Sequence, residues 1–245
     1  GGTVSGTGPN GLVIVNVGRN GGTGTVNIDG AGSQLVVAGV GGQNTQGLDG
    51  VGALVRVGTS GGNSGTLNVT GGGSLLISDN GLEAPNGGLA LRIGDGSTGV
   101  SGAVTVSGAG SSIVVSSTSG SSDISPSVLV GNGGTAQMTI SNGASVAVLG
   151  SGQRNFVVNN TATGSGVLNM TNGATLVASR FAVADNGGSA PAPLDRSTVN
   201  LDGVIFFNGA PIGAGVRVGR GDGAVGVLNL QNGAVINVNN TIDNA

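Results

Sequence analysis

Short runs in which apolar and small polar residues alternate fill most of the chain, as in TVNID (25–29), TLNVT (66–70), AVTVS (103–107) and QMTIS (137–141). A repeat of two puts successive side chains on opposite faces of an extended strand. Val26 and Ile28, Leu67 and Val69, Val104 and Val106, and Met138 and Ile140 are therefore assigned inward. So are Leu168 and Met170, Val199 and Leu201, and Leu228 and Leu230. Helix is excluded by this period and by the glycines between the runs.

Each run is the middle of a longer unit, written seven times with drift. Clear copies are GTGTVNIDGAGSQLVV (22–37), GNSGTLNVTGGGSLLI (62–77), GVSGAVTVSGAGSSIVV (99–115) and GGTAQMTISNGASVAV (133–148). GSGVLNMTNGATLVA (164–178), the divergent RSTVNLDGVIFF (196–207) and GAVGVLNLQNGAVINV (223–238) complete the set. Their central positions, Asn27, Asn68, Thr105, Thr139, Asn169, Asn200 and Asn229, recur at a spacing typical of stacked repeats. A further strand leads each copy: VNVG (15–18), VRVG (55–58), LRIG (91–94), VLVG (128–131), FVVN (156–159), FAVAD (181–185) and VRVG (216–219).

Three short strands joined at glycine-rich corners make one triangular coil, and no single coil buries its own apolar interior. Stacking does, with every strand bonded to the equivalent strands above and below at a spacing of about 4.8 Å. The expected fold is all-β, a right-handed parallel β-helix of about seven three-strand coils, with residues 1–245 forming one domain.

Composition narrows the chemistry. Fifty-four glycines without a collagen triplet, interleaved with a 37% hydrophobic content and only 8% charge, favour a packed core over disorder. The sequence holds no His, Cys, Trp, Tyr or Lys. Imidazole acid–base catalysis, Ser-His-Asp and Cys-His nucleophiles, the usual zinc and iron–sulfur sites and Schiff-base chemistry all drop out. No cofactor and no metal site is expected. Scattered arginines in a chain of net charge -3, without aromatic platforms, predict no nucleic-acid partner. No apolar run reaches the length of a membrane span, so this segment is not expected to insert in a membrane. The opening GGTVSGTGPNG does not read as a signal peptide, so an exported protein would be seen here as a mature or excised piece.

The GxGxLxVxGAGSxLxV and NGAxLxV strings, each led by VxVG, resemble the passenger repeats of bacterial autotransporters, from about Val13 to Val238. The resemblance implies export through the outer membrane, to the cell surface or the medium. It also implies a role among those known for such passengers: adhesin, aggregation factor, toxin, protease or stalk. The family's translocating barrel has no counterpart in these residues.

Several places are candidates for that role. Insertions at 38–53, 78–90, 116–127, 149–155 and 207–215 fall at one corner of the coil and are expected to line one edge of the rod, whereas 186–197 enters at another. Arg220, Gly221 and Asp222 form the integrin-recognition string, in which the carboxylate completes a metal's coordination and the guanidinium pairs with acidic groups; ordinary turn chemistry explains the same residues. Asn27, Asn68, Thr105, Thr139, Asn169, Asn200 and Asn229 are expected to form one outward ladder, chiefly a stabilising one. An ice-binding face is disfavoured by Ala103, Gln137, Val167 and Val227, which interrupt the threonine row.

Arg56 and Arg92 are expected to stack outward on adjacent coils, screened by acidic loop residues, with Arg217 in the same column. The carboxylates read as dispersed. Asp49, Asp79, Glu83 and Asp123 fall on the insertion edge, Asp29 and Asp202 cap strand ends, and Asp95, Asp185 and Asp222 occupy comparable first turns. The grouped acids of a carbohydrate-active β-helix enzyme are therefore not expected, nor is a small-molecule substrate. The function expected is adhesion to a host cell-surface protein or to an identical passenger on a neighbouring cell; the alternative is a non-binding stalk.

Overall fold

The computed structural model describes residues 3–7, 13–39, 51–79, 88–117, 126–150, 155–161, 163–185, 196–207, 215–221 and 224–238. They contain twenty strands and no helical segment. Numbered in chain order, the strands fall into three sets. The leading set is β2 (Val13–Arg19), β5 (Val51–Thr59), β8 (Gly88–Asp95), β11 (Ser127–Val130), β14 (Asn155–Val158), β16 (Arg180–Asp185) and β18 (Gly215–Arg220). The central set is β3 (Thr23–Asp29), β6 (Ser64–Thr70), β9 (Ser101–Ser107), β12 (Thr135–Ser141), the first parts of β15 (Ser165–Ala178) and β17 (Arg196–Phe207), and β19 (Val225–Leu230). The trailing set is β1 (Thr3–Thr7), β4 (Gln34–Ala38), β7 (Ser74–Ser78), β10 (Ser112–Ser116), β13 (Ser145–Leu149), the second parts of β15 and β17, and β20 (Val235–Val238).

Every strand pairing is parallel and joins one unit to the next within a set. The leading strands form a seven-stranded sheet in the order β18-β16-β14-β11-β8-β5-β2. The central and trailing strands run together as a thirteen-stranded sheet, because β15 and β17 continue from one set into the other. That continuity departs from the expected three separate strands per unit. In the sixth copy Asp202 alone separates Leu201 from Gly203, where Thr171, Asn172 and Gly173 separate Met170 from Ala174, and the pairing of β15 with β17 slips there to absorb the difference. β1, an extra trailing strand paired with β4, lies ahead of the first recognised copy.

Alternation within the strands builds the interior. Leu67, Val69, Val104, Val106, Met138, Ile140, Leu168, Met170, Val199 and Leu201 are buried in one continuous apolar cluster. Phe156 and Phe181 stack within it, ring centroids 5.8 Å apart. The last unit differs: core-facing Leu230, paired with Leu201, is 54% exposed. An inward residue is covered by the units on both sides of it, and this one has a described neighbour on one side only.

Glycine acts at the corner between leading and central strands. Gly58, Gly94, Gly131, Asn159, Ala184 and Gly219 occupy one register column, and all have positive φ. At Gly58 (φ 72°) a Cβ would lie 2.0 Å from the carbonyl oxygen of Ser101 in the next unit, closer than any real side chain approaches. Asn159 tolerates the same backbone by turning its amide into the corner, donating to the Gly164 carbonyl at 2.8 Å and accepting from the Thr161 N–H at 3.1 Å.

Candidate functional site

The outer face of the central strands is open and almost uncharged. Asn27, Asn68, Thr105, Thr139, Asn169, Asn200 and Asn229 stand in one register column, as the spacing of the copies predicts. Amides bond along it wherever they are neighbours: Asn68 donates to Asn27, Asn200 to Asn169 and Asn229 to Asn200, each at 2.8 Å. Thr105 and Thr139 interrupt the chain of amides. Between them and the leading-strand corner runs a shallow groove of about 340 Å³, lined by Ser64, Thr66, Ser101, Thr135, Gln137 and Val167 among others.

A second, shorter ladder follows the next corner and was missed in the sequence. Asn172 donates to Asn142 at 3.1 Å, and Asn142 to the Ser107 hydroxyl at 3.0 Å. Its signal was the Asn-Gly pair at 142–143 and 172–173, where asparagine accepts positive φ and leaves its amide free to reach along the stack.

The outer face of the leading strands has different chemistry. Leu54 and Ala90, at outward positions, are buried with Ile14 in a small apolar cluster of their own, and Val157 and Ala182 are buried further along. Arg56 and Arg92 stack in register on this face, as expected, but the screening carboxylate is Asp95, the last residue of β8, and not a loop acid. The Nε of Arg56 lies 2.8 Å from one Asp95 oxygen; the other lies 3.8 Å from Arg92 and accepts from Asn132 at 2.6 Å. Neither arginine is a freely solvated surface residue: their side chains are 16% and 27% exposed. Burial lowers the pKa of Arg56; Asp95 opposes that shift, and Arg92 and Arg19 add to it.

A parallel arrangement recurs towards the other end of the same sheet. Asp185, in register with Arg220, is buried and pairs with both Arg180 and Arg220, the latter at 3.3 Å. Arg220 of the integrin-type string is thus anchored within its own chain while its side chain remains 57% exposed. Gly221 follows with φ 118°, and Asp222 lies outside the described residues.

The remaining described carboxylates are engaged one by one. Asp29 accepts from Thr70 at 2.7 Å and Asp202 from Asn232 at 3.2 Å, so each ties a strand end to the following unit. Asp79, expected on an insertion edge, is buried and accepts from the Ser117 hydroxyl. Asp49, Glu83 and Asp123 lie outside the described residues, as do most of the insertions. Among the described residues no three acidic, histidine or cysteine side chains are grouped as metal ligands, and no helix is long and apolar enough to cross a membrane. Comparison with protein-family models, with curated proteins and with solved structures found no match for the chain.

Proposed function

We propose that the chain is a right-handed parallel β-helix that works by surface contact. It is an exported passenger segment, secreted or displayed at the bacterial cell surface, that adheres to a host cell-surface protein or to an identical passenger on a neighbouring cell. The supporting observation is the open central-strand face, whose small neutral side chains keep register through seven units and form a long surface that a partner meets with little charge to desolvate. Catalysis has no part in this reading, because the described carboxylates are each taken up singly by hydrogen-bonding or cationic neighbours.

The second reading, a stalk without affinity of its own, is favoured by a specific feature of the same face. Where asparagines are adjacent their amides bond to each other, which stabilises the stack and leaves fewer polar groups for a partner. Binding of the purified chain to intact host cells and to its own immobilised copies separates the two. Adhesion predicts saturable binding that is lost when Thr66→Arg and Gln137→Arg place charge in the groove, with the fold retained. A stalk predicts no saturable binding in either format. Attachment that requires divalent cations and disappears with Asp222→Ala would instead assign the contact to the Arg220-Gly221-Asp222 string.

A further inference from the structure

Three arginines and one carboxylate gather where β16 and β18 lie side by side, and two of the three guanidinium groups pair with that carboxylate. Arg180 opens β16 and Asp185 closes it; Arg217 and Arg220 stand on β18 opposite Ala182 and Asp185. Asp185 is shared by Arg180 and Arg220, and Arg217 has no carboxylate partner among the described residues. Those four side chains carry an excess of two positive charges, inside a chain whose net charge is -3. Arg180 registers the crowding: burial lowers its pKa first, and the charges of Arg217 and Arg220 lower it further.

We propose that Arg180, Arg217 and Arg220 form a binding site for a doubly charged oxyanion, a sulfate or phosphate group. Such a group matches the local excess of charge, and its tetrahedral oxygens accept the paired N–H bonds that a planar guanidinium offers. The roles divide by exposure. Arg180 is 17% exposed and committed to Asp185, so it fixes the carboxylate and contributes field. Arg220, 57% exposed, and half-buried Arg217 are the groups that reach the ligand.

The cluster around Asp95 has the same ingredients but lacks this access. Arg56 and Arg92 are mostly buried, and Asn132 also binds that carboxylate, which makes the group a strut between units. The site needs no contribution from Asp222 and does not depend on the adhesive reading.

The test is titration of the ¹⁵N-labelled chain with inorganic sulfate and with inorganic phosphate at low ionic strength, following the backbone and arginine side-chain N–H signals, with chloride at matched ionic strength as control. Saturable shifts confined to Arg217, Arg220 and their neighbours are expected, absent with chloride. Affinity should fall about ten-fold in Arg217→Gln and again in Arg220→Gln, each losing a charged hydrogen bond. Arg92→Gln should bind as the parent does, and an unchanged amide spectrum elsewhere reports an intact fold. Asp222→Ala should bind as tightly or more tightly, since it removes a negative charge two residues from Arg220 in the sequence, whereas integrin-type attachment would be lost. A sulfated disaccharide that binds more tightly than free sulfate would support the site and assign a glycan sulfate ester; equal or weaker binding would support it and assign the free ion. Shifts reproduced by chloride, or undiminished in the Arg217→Gln and Arg220→Gln double variant, would overturn the proposal.

Discussion

The leading-strand and central-strand faces belong to the same stack of parallel strands, yet they solve the problem of repeated side chains in opposite ways. On the leading face, identical charges are brought together one unit apart, as at Arg56 and Arg92, and a carboxylate at the end of β8, Asp95, holds them. On the central face, identical amides are brought together and need no mediator, because each asparagine is both donor and acceptor. In a parallel register every outward residue has a like neighbour by default. A neutral amide turns that likeness into a bond; a guanidinium turns it into a repulsion that the sequence must answer elsewhere.

The corner shared by both faces offers the largest way to break this comparison. Gly58→Ala places a Cβ 2.0 Å from the Ser101 carbonyl oxygen, at φ 72°, and so pushes the leading sheet away from the central one. A loss of about 4 kcal/mol is expected in urea unfolding. Gly219→Ala, in the same column but with its nearest contact at 3.5 Å, should lose only the left-handed backbone cost of about 1–2 kcal/mol. Equal losses would mean that φ alone, and not the contact between units, makes the column glycine.

Next in size is the charged face. Asp185→Ala leaves Arg180 mostly buried without its carboxylate, and a loss of about 3 kcal/mol follows. Arg220→Ala, which removes only the exposed partner, should cost well under about 1 kcal/mol. A smaller effect has the opposite sign. Ser197 is fully buried at a position filled by Gly226 in the following unit, and its hydroxyl has no partner, so Ser197→Ala should stabilise by about 1 kcal/mol in the same assay. Smallest is the neutral face. Asn200→Ala interrupts two partly buried amide bonds and should cost roughly 1 kcal/mol, while Thr105→Ala, which breaks the ladder nowhere, should be close to silent.

Much of this contrast was legible in the chain. Period-two alternation identified Leu67 and Val69 or Leu168 and Met170 as interior, because a strand has only two faces and a slip of one residue exchanges them. Aligning the copies then set the register, which placed Asn27 beside Asn68 and Arg56 beside Arg92. What escaped were properties of neighbours, not of the repeat. Asp95 as the partner of two arginines depends on where the end of β8 carries its side chain relative to Arg92 on the same strand and Arg56 a unit away, and Asp79 is buried beside Ser117 a unit away. Leu230 follows the interior pattern yet stays exposed, since an alternating sequence assigns a face but not what covers it.

Register between equivalent strands underlies both faces, and the absence of cysteine allows it to be read directly. Thr105 and Thr139 are opposite each other on adjacent strands, whereas Asn68 and Thr139 are separated by the strand that carries Thr105. Adjacent parallel strands lie about 4.8 Å apart, within reach of a disulfide, and strands two units apart lie about 9.6 Å apart, beyond it. The measurement is oxidative cross-linking of two double variants, Thr105→Cys with Thr139→Cys and Asn68→Cys with Thr139→Cys. Rapid, near-complete intramolecular bridging in the first and none in the second is the predicted result. Bridging in the second, or in neither, would contradict the stacked register and the two faces built on it.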